Sequence, residues 1–142
     1  MSDVSLPARL SPSDKARLAI EILAVYARVL WLLRSDGLPG AIATLRQTSR
    51  GVAPTMAGDA LDDGRRLGRA VVRTLAPLPR GSRCLTRSLV LLSLLARRGV
   101  EGDLVIAVQP RADPGLDAHA WVEVAGSPLL APARDYGRLV TL

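Results

Sequence analysis

A cysteine and a histidine stand out because the chain contains only one of each, Cys84 and His119. Cys84 follows a polar segment, residues 79–83, and precedes an apolar run, which predicts that it opens a helix. Backbone N–H groups and the dipole at a helix N-terminus favour a thiolate and can stabilise an oxyanion. Arg80 and Arg83 add positive charge there. An imidazole within hydrogen-bond reach of the sulfur would complete a nucleophile–base pair.

A third residue that orients the imidazole is harder to find. Cys–His pairs usually use an Asp or Asn for this purpose. Glu123 is excluded, because four extended residues separate it from His119 by ~13 Å. Residues 128–134, which we expect to return beside His119, contain no acid. Asp135 is the nearest acid on that side, and Asp117 reaches the imidazole only if the preceding loop bends.

The same residues also fit purely structural roles. A lone cysteine is often a small buried apolar residue, and a lone histidine is often a polar residue with its hydrogen bonds satisfied. A metal site is less favoured, since one Cys and one His leave two ligands to find and no paired spacing exists.

Helical periodicity dominates the first two thirds of the chain. Apolar spacing predicts helices at about 14–34, capped by Ser11 or Ser13, and at about 57–75, with a shorter helix at 40–47. Residues 48–55 are predicted as a loop. The segment 84–98 is apolar on all sides and ends at Gly99, which predicts a buried central helix.

Strand patterns replace helical ones after Gly99. Residues 104–108 predict a buried strand and 110–118 a loop. Residues 119–124 alternate, so His119, Trp121 and Glu123 share one face. On this face, Trp121 is consistent with either of two roles: a residue that forms a wall of the site, or an aromatic residue of the core. A turn at 125–127 precedes a returning strand at 128–131.

The fold class predicted is therefore α+β, with a helical N-terminal half, a central Cys-bearing helix and a small antiparallel sheet. We expect a single domain, 1–142, in which 1–79 form the helical N-terminal region and 80–142 the catalytic core.

Composition limits location and partners. One cysteine excludes an intrachain disulfide, and residues 1–12 lack the apolar core of a signal peptide, so we expect a cytoplasmic protein. The apolar run 18–33 includes Glu21 and Arg28, so no transmembrane segment is expected. The net charge is +6, and residues 65–98 hold nine arginines and no acid. These arginines could attract an acidic peptide or a nucleic-acid backbone, or form a solvated face; no aromatics are interleaved for nucleic-acid stacking.

Four segments of the C-terminal half together resemble a known family. They are RCLTRSL at 83–89, LLARRG at 94–99, LVIAV at 104–108 and AHAWVEV at 118–124. Their order and spacing are similar to those of the lasso-peptide biosynthesis leader peptidase, the transglutaminase-like half of the split B protein.

This resemblance implies a papain-like cysteine peptidase with Cys84 as nucleophile and His119 as general base. The implied substrate is a lasso precursor peptide, cut at the junction of leader and core. A small leader-binding partner protein would deliver it, and an ATP-dependent lasso cyclase would act next. No metal or organic cofactor is implied for the peptidase itself.

The chain departs from the family at one position. Members commonly carry an acid about a dozen residues after the histidine, where this chain has Ala131. Either Asp135 replaces that acid, or the pair works without a carboxylate, or activity is reduced; of these we favour Asp135. Two other functions remain open: Cys-dependent acyl transfer to an amine, and non-enzymatic binding of nucleic acid or a membrane surface by a basic protein.

Overall fold

A computed structural model of the chain describes residues 11–47, 57–78, 84–110, 116–129 and 137–141. Helices precede a small antiparallel sheet in these ranges, which confirms the α+β prediction. The elements are α1 (Pro12–Ser35), α2 (Gly37–Gln47), α3 (Ala57–Leu75), α4 (Cys84–Arg97), β1 (Asp103–Pro110), β2 (Leu116–Val124), β3 (Ser127–Leu129) and β4 (Gly137–Thr141). The segments predicted as loops at 48–55 and 79–83 lie outside the described residues.

Helix α1 begins as predicted and α2 begins earlier than predicted. Ser11 caps α1, its hydroxyl accepting the Asp14 N–H at 3.2 Å, and Pro12 occupies the first turn. We expected Gly37 and Pro39 to separate the helices, with α2 starting at residue 40. Instead Gly37, at a φ of +69°, turns the chain directly into α2. Pro39 is accommodated because the first helical turn requires no backbone N–H donor.

Helix α4 is the centre of the molecule, as its apolar sequence predicted. Every residue from Ser88 to Ala96 is buried, and the helix packs against α1, α2, α3 and the sheet. Gly99, at a φ of +72°, ends it. The Val100 N–H bonds the Leu95 carbonyl and the Gly99 N–H bonds the Ala96 carbonyl, which is the Schellman arrangement.

A two-point ion pair fixes α1 to the end of α4. The Arg98 guanidinium donates to both Glu21 carboxylate oxygens, at 3.2 and 2.9 Å. Only 12% of the Arg98 side chain and 29% of the Glu21 side chain are exposed. Partial burial and bidentate geometry make such a pair stronger than an ordinary surface salt bridge. This explains how the apolar run of α1 accommodates an acid.

The sheet has the strand order β3-β2-β1-β4. Strands β1 and β2 form a long ladder in which Ala107 lies opposite His119 and Pro110 opposite Leu116. The predicted loop at 110–118 was therefore too long, because pairing extends both strands toward their connection. Strand β4, which we did not predict, pairs with the other edge of β1.

The two faces of the sheet contact different surroundings. Ala120, Val122 and Val124 of β2 belong to the core that the helices share with Leu104. The opposite face holds a separate small cluster of Val105, Ala107 and Trp121. No helix in the described ranges combines the length and apolar character needed to cross a bilayer.

Candidate functional site

Cys84 is the first residue of α4, where the sequence predicted it. Its thiol is free and partly exposed, and the side chain packs against the edge of the core. The first N–H groups of a helix have no intrahelical acceptor. A helix start therefore provides donors for an anion formed beside the sulfur.

His119 lies on β2, half-buried, on the face that the alternating pattern predicted. Its ring centroid is 6.1 Å from that of Trp121, with the two planes tilted by 31°. The Trp121 indole N–H donates to the Glu123 carboxylate at 3.2 Å, and both residues are almost fully buried. Glu123 thus holds the indole in place, and Trp121 in turn borders the imidazole.

A buried hydrogen bond connects the start of α4 to the same part of β2. The Ser88 hydroxyl donates to the carbonyl oxygen of Ala120 at 3.1 Å. Ser88 lies one helical turn after Cys84 on the same face of α4, and Ala120 directly follows His119. Strand β3 pairs with β2 only at residues 122–124. Among the described residues, no strand pairs with β2 on this edge at Ala120, and Ser88 donates to the carbonyl there.

Other predicted site residues are described only in part or not at all. Arg83 and Asp135 lie outside the described residues, as do Arg80 and Ala131. Asp117 lies within β2, opposite Gln109, so the bent loop that its participation required is a strand instead.

Comparison with known proteins identifies the family. The family model described as "Transglutaminase-like superfamily" matches residues 8–141 of the chain. The chain belongs to this superfamily. No curated protein and no solved structure matches it. The superfamily includes cysteine peptidases and acyltransferases, and its members are generally cysteine-dependent enzymes.

This transglutaminase-like chain has a cleft of about 180 Å³ near the C-terminal end of α4, which is the end farther from Cys84. It is bordered by the end of α2, the end of α4 and the segment entering β1, through Leu45, Arg46, Leu92, Ala96, Val100, Glu101, Gly102 and Asp103. Among the described residues, no three His, Cys, Asp or Glu side chains gather closely enough to hold a metal ion. The cleft offers neither a nucleophile nor a base of the Cys–His type.

Ser88 was not among the residues singled out from the sequence, although a signal for it was present. It is a hydroxyl residue at the start of a mainly apolar run, one turn after the only cysteine. A polar side chain at such a position needs a partner when it is buried. The spacing therefore indicated that Ser88 contacts whatever packs beside Cys84.

Replacing Ser88 with Ala is expected to lower the free energy of unfolding by about 1–3 kcal/mol, because it leaves the buried Ala120 carbonyl without its donor. Ser93 on the same helix provides a matched control. It is equally buried, but its hydroxyl has no hydrogen-bond partner within the described part of the chain. Ser93→Ala should change stability by less than about 0.5 kcal/mol or increase it. Urea unfolding of both variants tests this, and equal losses would contradict the role given to Ser88.

Proposed function

We propose that this transglutaminase-like chain is a cysteine peptidase that removes the leader segment from a ribosomally synthesised lasso-peptide precursor. Cys84 is the nucleophile and His119 the general acid and base. The observation that supports this proposal most directly is the Ser88–Ala120 hydrogen bond, which joins the residue one helical turn after Cys84 to the residue that follows His119. The proposal includes two further proteins, a small leader-binding partner and an ATP-dependent lasso cyclase.

The proposed reaction is acyl transfer to water. The Cys84 thiolate attacks the carbonyl carbon at the leader–core junction, and the electron pair of the C=O bond moves to oxygen. When the C–N bond breaks, His119 donates a proton to the departing amine of the core peptide. The leader remains bound as a thioester. His119 then takes a proton from water, whose oxygen attacks the thioester; the C–S bond breaks, the leader is released as a carboxylic acid, and the Cys84 thiolate and protonated His119 are regenerated.

Two residues complete the proposed site. Trp121 forms a wall beside His119, held by Glu123. Asp135 is proposed to orient the imidazole in place of the acid that the family usually carries where this chain has Ala131.

The test combines the chain with a lasso precursor and its leader-binding partner and measures product masses. We expect a free leader and a core peptide that begins at the cut. Cys84→Ala and His119→Ala should each slow the formation of these products at least about a hundredfold, and Asp135→Asn should reduce their rate of formation. Cleavage that survives both of the first two substitutions would contradict the proposal.

An acyltransferase is the second candidate, because the superfamily includes such enzymes and the thioester is common to both reactions. If an amine replaces water in the second step, the leader ends in an amide. Product masses measured with and without an added primary amine distinguish the two reactions.

Cationic side chains on α3 are proposed to attract acidic residues of the precursor or the partner. Arg65, Arg69 and Arg73 are exposed and follow one another at four-residue spacing, so they share one face. Arg66, the other arginine in this part of α3, is half-buried and engaged with other groups.

Exchanging Arg65, Arg69 and Arg73 together for Gln is therefore expected to slow cleavage at low salt. The difference should shrink as salt is raised, because added ions screen exposed charges over about 10 Å at 0.1 M. Initial rates measured across a salt series test this expectation. An unchanged rate at low salt would remove α3 from the recognition of the substrate or partner.

A further inference from the structure

One face of α1 carries the large apolar side chains that are exposed in the described part of the chain. Ile20 is 66%, Leu23 42% and Trp31 65% exposed. The exposed residues Ala16, Ala24 and Ala27 lie on the same face at 3.6 residues per turn. These six residues, here called the α1 outer face, form a continuous apolar stripe without a charged side chain.

The α1 outer face is not needed for packing of the fold. The opposite side of the helix already supplies its core residues, namely Leu18, Ile22, Val25, Val29 and Leu32. A helix at the surface of a domain ordinarily has one apolar stripe and one polar face. A second, clustered apolar stripe indicates a surface that another molecule covers.

The shape of this face fits a helix. Ile20 and Trp31 are bulky and lie about 16 Å apart along the axis, at 1.5 Å per residue. Ala24 and Ala27 between them leave a depression that another helix can enter. Small residues at such a crossing allow two helix axes to approach to about 8 Å.

The charges beside the face favour an acidic occupant. Arg17 and Arg28 lie along one edge of the stripe, and Arg34 lies beyond Trp31. Within the described ranges none of the three is paired with a carboxylate. A second copy of the chain is disfavoured, because an antiparallel pairing that matches Ile20 with Trp31 would also place Arg17 opposite Arg34. The net charge of +6 adds to that repulsion.

We propose that the α1 outer face binds an amphipathic helix of another protein. The apolar residues of that helix fill the depression at Ala24 and Ala27, and its carboxylates lie opposite Arg17, Arg28 and Arg34. This inference does not depend on the proposed chemistry, so the Cys84→Ala variant should bind such a helix unchanged.

The test uses a synthetic helical peptide of about 18 residues, long enough to be helical in water, with Leu at heptad positions a and d and Glu at e and g. A second peptide has Lys in place of every Glu. Trp31 reports binding by fluorescence, since the only other tryptophan, Trp121, is buried. We expect the Glu peptide to cause a saturable blue shift of Trp31 emission, and added salt to weaken its binding. The Lys peptide should bind at least about tenfold more weakly.

Two matched variants locate the binding site. Ala27→Glu places a charge at the centre of the α1 outer face and should weaken binding of the Glu peptide at least about tenfold. Ala43→Glu adds the same charge to an exposed position of α2 and should leave it unchanged. Equal binding of both peptides, or full binding by Ala27→Glu, would overturn the proposal. Two other results would also overturn the proposal. One is a shift of Trp31 emission that only anionic phospholipid vesicles cause; the other is dimerisation of the chain through the α1 outer face.

Discussion

Cys84→Ala should reduce cleavage of the precursor by about a thousandfold or more, because no thioester forms without the sulfur. The chain contains no other cysteine that could replace it. The direct measurement is the mass of the protein during turnover, quenched in acid. The unaltered chain should carry the mass of the leader as a covalent adduct, and the variant should not.

The control for this prediction is stability. Cys84 lies at the partly exposed start of α4, so exchange for Ala removes little buried volume. Thermal unfolding of the variant should therefore match that of the unaltered chain closely. A folded Cys84→Ala variant that still cleaves the precursor at a comparable rate would exclude Cys84 as the nucleophile.

His119→Ala has the second largest expected effect, a loss of roughly 10² to 10⁴ in kcat/KM. The imidazole is required twice, to protonate the departing amine and to activate water. Rates of leader release by the unaltered chain and by His119→Ala, measured under identical conditions, give this ratio of kcat/KM. Accumulation of the thioester in this variant would indicate that the second step is the more impaired.

The Trp121→Phe variant separates the chemical role of the His119 imidazole from an effect on packing of the β2 face. It retains a ring beside His119 but removes the indole N–H that Glu123 accepts. We expect a smaller loss of rate than for His119→Ala, since the base itself is unchanged. If the two substitutions reduce kcat/KM equally, the effect of His119→Ala reflects disruption of the β2 face and not loss of a base.

Local patterns predicted much of this fold from the sequence. The helix at 57–75 has the bounds that its apolar spacing indicated, and Cys84 opens α4 directly after the polar segment. The alternation at 119–124 placed His119, Trp121 and Glu123 on one face, which the ring contact and the indole hydrogen bond confirm. These features depend on residues close together in the chain, which is why periodicity captures them.

Features that depend on distant contacts were missed. Strand β4 is short and forms only by pairing with β1, more than 25 residues earlier in the chain. The lengths of β1 and β2 are set by their mutual register and not by local propensity. The bond from Ser88 to Ala120 likewise joins residues 32 positions apart. Whether Asp135 orients His119 remains a prediction, since it lies outside the described residues.

The proposed proximity of the Cys84 sulfur and the His119 imidazole can be tested with a short bifunctional reagent, 1,3-dibromoacetone. The thiolate displaces one bromide, and an imidazole within reach displaces the other, which leaves a three-carbon bridge. Because the chain has one cysteine and one histidine, peptide mapping identifies this bridge without ambiguity. We predict a single product in which the peptides containing Cys84 and His119 are joined and both bromides are lost. Alkylation of Cys84 alone, with His119 unmodified in the folded protein, would contradict the Cys–His pair.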